Sequence, residues 1–111
     1  MFLKGEFEVS FYDLVKRAEQ GDCKSGLELA KNYFAGRGVK KDYAEAVKWF
    51  MFAAEDGSGE AEYFLANCYY QGLGVERNLK TALDYFLKAR NHYYKDCSSM
   101  ISDCMDELNL A

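Results

Sequence analysis

The chain predicts an all-α fold built as a solenoid of stacked helical hairpins. Three observations carry that expectation. First, the sequence repeats at a period of 36 residues: Gly36-Arg37-Gly38-Val39 returns as Gly72-Leu73-Gly74-Val75, and nine of the 32 positions from Gly26 to Gly57 recur identically across Glu62 to Tyr93. Such a period marks units that bury their apolar faces only by stacking on a neighbour. Second, the 111 residues contain no proline and few β-branched side chains, as long helices prefer. Third, glycines punctuate the chain where helices would end, at 21, 36, 57 and 72.

Each predicted element follows from this register. Residues 6–24 read as a partial first repeat: a B-type helix from Glu6 to Gln20 with Phe11, Leu14 and Ala18 on its inner side, closed by Gly21. The first full repeat, 25–60, opens with an A helix from Ser25 to Ala35, in which Leu29, Ala30 and Tyr33 share a face. Gly36 ends it in the left-handed conformation, Gly38 keeps the turn tight, and Val39 plugs the loop from below. Asp42 caps the B helix Tyr43 to Glu55, with Glu45 as its reciprocal partner in a capping box. Ala46, Phe50 and Ala53 form the buried stripe at i, i+4 and i+7. The second repeat, 61–95, repeats the scheme with an A helix from Ala61 to Gln71, Asn78 as cap, and a B helix from Leu79 to about Arg90. Ser58 and Asp22 are available to cap the A helices. Arg90, Asn91 and Tyr93 break the small-residue and glycine ending, so this repeat reads as the last regular one. Residues 96–110 supply a terminal A-like helix, Asp96 to Leu108, over the open end. By register Tyr33, Tyr69, Phe50 and Phe86 belong to the core.

Bulk properties narrow the function. A net charge of −4, with 14 basic residues scattered among 18 acidic ones, lacks the clustered cations of a nucleic-acid binder. No apolar run reaches the 18 or so residues of a membrane span, so no membrane insertion is expected. The first eight residues lack the long apolar run and cleavage site of a secretory signal. Cysteines 23, 68, 97 and 104 show no metal-binding spacing. Cys97 and Cys104, seven apart on one helix, would have Cα atoms about 10 Å apart, beyond the roughly 7 Å reach of a disulfide. Four reduced thiols and a cytoplasmic setting are therefore expected, with a secreted or periplasmic one as the alternative. Catalysis finds little footing. His92 is the one histidine, near a helix end. The glycine pairs lack the strand and the lysine of a phosphate loop. Glu55-Asp56 and Glu60/Glu62 read as solvated helix ends. No enzyme activity, metal or cofactor is expected.

Leu29-Ala30, Tyr33, Gly36-Arg37-Gly38-Val39, Asp42, Ala46, Trp49-Phe50, Ala53-Ala54 and Gly57 together resemble a Sel1-like repeat, a relative of the tetratricopeptide repeats. Ala61, Leu65-Ala66, Tyr69, Gly72-Leu73-Gly74-Val75, Asn78, Ala82, Tyr85-Phe86 and Ala89 resemble a second copy. The resemblance implies a right-handed α/α superhelix acting as an adaptor or scaffold module. A cysteine-rich secreted branch of that family carries a disulfide in each repeat, a pairing this chain lacks.

In that architecture A helices line the inner curve. Tyr63, Asn67 and Tyr70 then form a strip at i, i+4 and i+7 on the second A helix, echoed by Leu27, Lys31 and Phe34 on the first. Exposed aromatic and hydrogen-bonding groups in a groove anchor protein or peptide partners, and packing of one A helix on the next is the competing role. The expected function is noncatalytic protein binding on the concave face. Self-association is the second reading, through an unpaired apolar face at Phe7 and Phe11 on the first helix. A hydrolase or small-ligand domain, known by analogy with the cysteine-rich branch, is the third.

Overall fold

The structure, a computed structural model, describes residues 10–109. Six helices follow one another: α1 (Phe11–Glu19), α2 (Cys23–Ala35), α3 (Tyr43–Glu55), α4 (Gly59–Gln71), α5 (Leu79–Asn91) and α6 (Ser98–Glu107). Each packs on the next in chain order. The result is elongated, 58 × 26 × 24 Å, with a radius of gyration of 15.4 Å, against the 13 Å or so of a compact domain this long. α1, α3 and α5 are B helices, and α2, α4 and α6 are A helices, in the order that the repeat register anticipates.

The turns explain why the repeats look alike. Gly36 and Gly72 end α2 and α4 at φ 72° and 73°, the left-handed region that a Cβ disfavours. Gly38 and Gly74 follow at φ 73° and 75°. The chain then reverses, and the N–H of Asp42 donates to the carbonyl of Tyr33 at 2.9 Å, as that of Asn78 does to Tyr69 at 2.9 Å. These bonds pin each B-helix start to the A helix before it. They also correct the expected capping box. The Asp42 carboxylate accepts from the Glu45 N–H at 3.1 Å, but the Asp42 N–H is already spent on Tyr33, so Glu45 has no reciprocal donor to accept.

Other boundaries shift for similar reasons. Asp22 and Ser58 cap α2 and α4, so both A helices start two residues before the expected Ser25 and Ala61. Ser10 is extended, at φ −68° and ψ 159°, and its side chain accepts from the Asp13 N–H. α1 therefore begins at Phe11 and not at Glu6, and residues 6–9 lie outside the described residues. α6 spans Ser98–Glu107 within the expected Asp96–Leu108, its start displaced by the Asp96 side chain, which accepts from the Ser98 N–H at 3.1 Å.

Three consecutive helices build each core. Ala30 from α2, Ala46, Val47, Phe50 and Ala53 from α3, and Ala61, Leu65 and Cys68 from α4 form one buried cluster. Ala66, Ala82, Phe86 and Ala89 join Cys97, Ile101 and Cys104 in the next, so α6 covers the second repeat as a cap must. Leu14, Ala18 and Leu29 close the other end. Alanines at zero exposure let the helix axes approach, and Phe50 and Phe86, also at zero, fill the space between them. Phe50 stacks on Phe64 of the following helix at 4.8 Å between centroids. Tyr33 and Tyr69, expected inside, are half-buried instead. Tyr69 stacks on Tyr85, and Tyr33 meets Phe11 edge-on at 5.5 Å. Phe11 is therefore partnered within the chain, while Phe7 lies outside the described residues.

Tyr93 departs most from the repeat. It stands one period after Gly57 (φ 85°) and two after Gly21 (φ 100°), and it takes the same left-handed turn at φ 59°. Its ring is 94% exposed and gains almost no burial in return. Tyr93→Gly should therefore raise stability by about 0.5–1 kcal/mol or slightly more, read as a higher urea midpoint at unchanged slope; an equal or lower midpoint would contradict it.

The two second-turn glycines separate backbone strain from crowding. A Cβ at Gly38 would meet nothing within 4 Å, whereas at Gly74 it would lie 2.5 Å from the Tyr43 carbonyl at the start of α3. Gly38→Ala should cost about 1 kcal/mol from the left-handed backbone alone. Gly74→Ala should cost clearly more, because the repeats must part to admit it. Equal urea midpoints for the two variants would show that this inter-repeat contact is slack.

Candidate functional site

The A-helix strip is present as two equivalent seams and not as one patch. On α2, Lys31 Nζ pairs with Glu60 Oε2 of α4 at 2.8 Å and with Glu28 Oε1 at 3.6 Å. The hydrogen bond to Glu60 holds the ammonium above its ordinary pKa against the opposing effect of burial. Phe34 sits edge-on to Tyr43, Phe50 and Phe64. Leu27 packs partly buried on the same core. On α4, Tyr63 meets Phe86 and Tyr94, with Lys95 Nζ 4.8 Å from its ring centre. Asn67 turns its amide back to its own helix and donates to the Tyr63 carbonyl at 3.1 Å. The Tyr70 hydroxyl donates to Glu107 of α6 at 3.4 Å, and Arg77 lies over its ring while pairing with Glu107 at 2.9 Å. Burial, with the Glu107 charge, pushes the Tyr70 phenol up. Each seam thus joins one A helix to the next, and all six side chains keep a half-exposed edge.

A second feature escaped the sequence reading. Glu62 is not a solvated helix end; it is 2% exposed. Its Oε1 accepts from His92 Nδ1 at 2.7 Å across the end of α5. A carboxylate only accepts, so Nδ1 carries the hydrogen. Glu62 also lines a groove of about 420 Å³ between α3 and α5. Met51, Phe52 and Tyr85 line it together with Lys48, Glu55 and Lys88. Burial, with the neighbouring Tyr69, Glu62 and Glu55, pushes the Tyr85 phenol up. The signal was available in the register: position 62 precedes Leu65 and Ala66 by three and four residues, on the packing face of the helix.

The four cysteines are unpaired thiols. Cys68, Cys97 and Cys104 are buried and Cys23 is partly exposed. Burial pushes the Cys68 thiol up to about 11 and raises Cys97 and Cys104 as well. Among the described residues no group of three or more His, Cys, Asp or Glu is placed to hold a metal ion. No described helix is long and apolar enough to cross a membrane.

The fold and these seams define an α/α repeat protein of the tetratricopeptide-like class. Residues 27–58 and 59–93 each match the Sel1 repeat, and the chain belongs to that family. The crystal structure of a Sel1 repeat protein from Oxalobacter formigenes is 32% identical, superposes with a TM-score of 0.80, and covers 91% of this chain. The cysteine-rich protein B of Helicobacter pylori is 26% identical with a TM-score of 0.75, over 89% of this chain and 72% of its own. A protective antigen of uropathogenic Escherichia coli strains is 26% identical with a TM-score of 0.51, over 76% of this chain and 26% of its own. The chain spans 42% of the Oxalobacter protein's length. No curated protein sequence matches it. The matched repeats meet at residue 58/59, where Ser58 caps α4, and the second ends at the left-handed Tyr93.

Thiol labelling tests the burial pattern. A neutral alkylating reagent should modify Cys23 first in the native protein, since thiolate character and access both govern the rate. All four thiols should react once urea unfolds the chain. Rapid native labelling of Cys68, or fewer than four thiols after unfolding without reductant, would contradict the packing described.

Proposed function

We propose that this chain is a noncatalytic protein-interaction module that engages a protein or peptide along its row of A helices. The supporting observation is the row itself. α2, α4 and α6 are joined by Lys31–Glu60, Phe34–Phe64 and Tyr70–Glu107 contacts, and the joined side chains retain exposed edges along the length of an elongated stack. Aromatic rings in such a row supply apolar contact at small entropic cost, because each has few rotatable bonds. Family membership supports the same reading, since Sel1 and tetratricopeptide-like repeats typically mediate protein–protein interactions. Within the row, Tyr63 and Tyr70 each carry a cation over the ring, Lys95 and Arg77. A partner offering acidic groups beside an apolar side chain would meet both.

Tyr70→Ala is the discriminating variant. Tyr70 lies at the edge of its core cluster and its hydroxyl bond is at the surface. Truncation should weaken partner binding by about 1–3 kcal/mol while destabilising the fold less than Tyr33→Ala. Calorimetric titration against a partner isolated on the folded domain, alongside urea unfolding of both variants, measures the two effects. Full affinity in Tyr70→Ala with a large loss of stability would assign Tyr70 to packing alone.

A further inference from the structure

We infer that the groove between α3 and α5 is a second recognition site, which takes an arginine side chain of a bound polypeptide with its guanidinium on Glu62. The inference rests on the interaction-module reading but uses the groove between the B helices α3 and α5, with Glu62 contributed by α4. The Glu62 side chain is 3% exposed, and His92 holds it through Oε1 alone at 2.7 Å. No other side chain bonds it among the described residues, so this groove-lining residue keeps acceptor capacity to spare. Lys88 lines the same groove but makes no ion pair with Glu62 among the described residues; its Nζ lies 5.2 Å from the Tyr85 ring centre.

Packing does not call for an acid here. One period earlier the same position is Gly26, and the fold closes it with aromatic rings. A Cβ at Gly26 would lie 2.8 Å from Phe52 Cδ2 and 3.6 Å from Trp49. In the second repeat Gly26, Trp49 and Phe52 become Glu62, Tyr85 and Lys88. An apolar plug has been replaced by a buried carboxylate lining an open groove. A buried charge is costly unless paired, and a departure from local packing rules of this kind marks functional sites.

A group reaching Glu62 must carry positive charge at the end of a long apolar stem, because Met51, Phe52 and Tyr85 line the groove. A guanidinium satisfies this better than an ammonium: it is less strongly hydrated, bonds a carboxylate through a planar fork, and stacks on aromatic faces. A volume of about 420 Å³ accommodates one such side chain. Lys48 and Lys88 in the same lining suit acidic residues beside the arginine.

The test uses a blocked pentapeptide, Glu-Gly-Arg-Gly-Glu, titrated into the full chain and followed by calorimetry and by NMR. Binding should shift the Phe52, Tyr85 and Met51 signals and leave Tyr70 unmoved. The citrulline peptide, neutral and nearly isosteric, should bind at least about tenfold more weakly, and the lysine peptide should fall between. Glu62→Gln keeps an oxygen for His92 and removes the charge, so it should lose a similar factor. Equal binding of arginine and citrulline peptides, or largest shifts on the A-helix row, would overturn the groove assignment while leaving the interaction-module reading standing. Free arginine binding as tightly as the pentapeptide would overturn the polypeptide as its occupant. If Glu62→Gln does not fold, the shift map and the citrulline comparison on the parent chain decide the matter alone.

Discussion

The constraint on which the rest of this molecule depends is the turn between the A and B helices of each repeat. Two left-handed glycines spaced by one residue reverse the chain, and one backbone hydrogen bond ties the new helix start to the old helix end. The geometry is reproduced closely: φ is 72° and 73° at Gly36 and Gly38, and 73° and 75° at Gly72 and Gly74. The closing N···O distance is 2.9 Å in both repeats. A reproducible turn gives each hairpin the same shape, and identical hairpins stack with the same offset. The elongation follows from that repetition, since every unit contacts only its neighbours.

Stacking then distributes the side chains between two tasks. On the packing faces alanines and two phenylalanines are fully buried, and a single cluster draws on three successive helices. No repeat has a complete core of its own, so α6 matters as a lid over the second. On the A-helix row the same side chains both join helices and remain half-exposed. Packing at Tyr63 or Tyr70 therefore leaves an edge of each ring exposed. A ring held in place by neighbours on two sides is already ordered.

The two ends of the second repeat show where the pattern yields. Tyr93 takes a turn that glycine takes twice before, and Glu62 occupies a position that glycine occupies once before. Both substitutions cost stability by ordinary rules, one through backbone strain and the other through a buried charge. The residues flanking Tyr93 reach the start of α4, where His92 bonds Glu62 and Tyr94 packs on Gly59. This corner breaks the repeat in both its backbone and its charge.

The sequence by itself determined the helix order, the turn glycines, the caps at Asp22, Asp42, Ser58 and Asn78, and the buried alanine and phenylalanine stripe. All of these are local or periodic properties, set by backbone conformation and by which residues fall 3.6 apart. It also placed the six strip residues on their helices. What they touch was decided by tertiary structure, because Lys31 meets Glu60 and Tyr70 meets Glu107 only when one A helix lies against the next. The lost capping box at Glu45 has the same origin, as its donor is claimed by a carbonyl nine residues back. Glu62 is the sharpest case. Its helical register alone puts it on the packing face, but whether a charge there is excluded, paired or left open depends on the space above it. That space is set by the separation of α3 and α5, by His92 arriving from the end of α5, and by rings that fill the equivalent volume in one repeat and leave it open in the other.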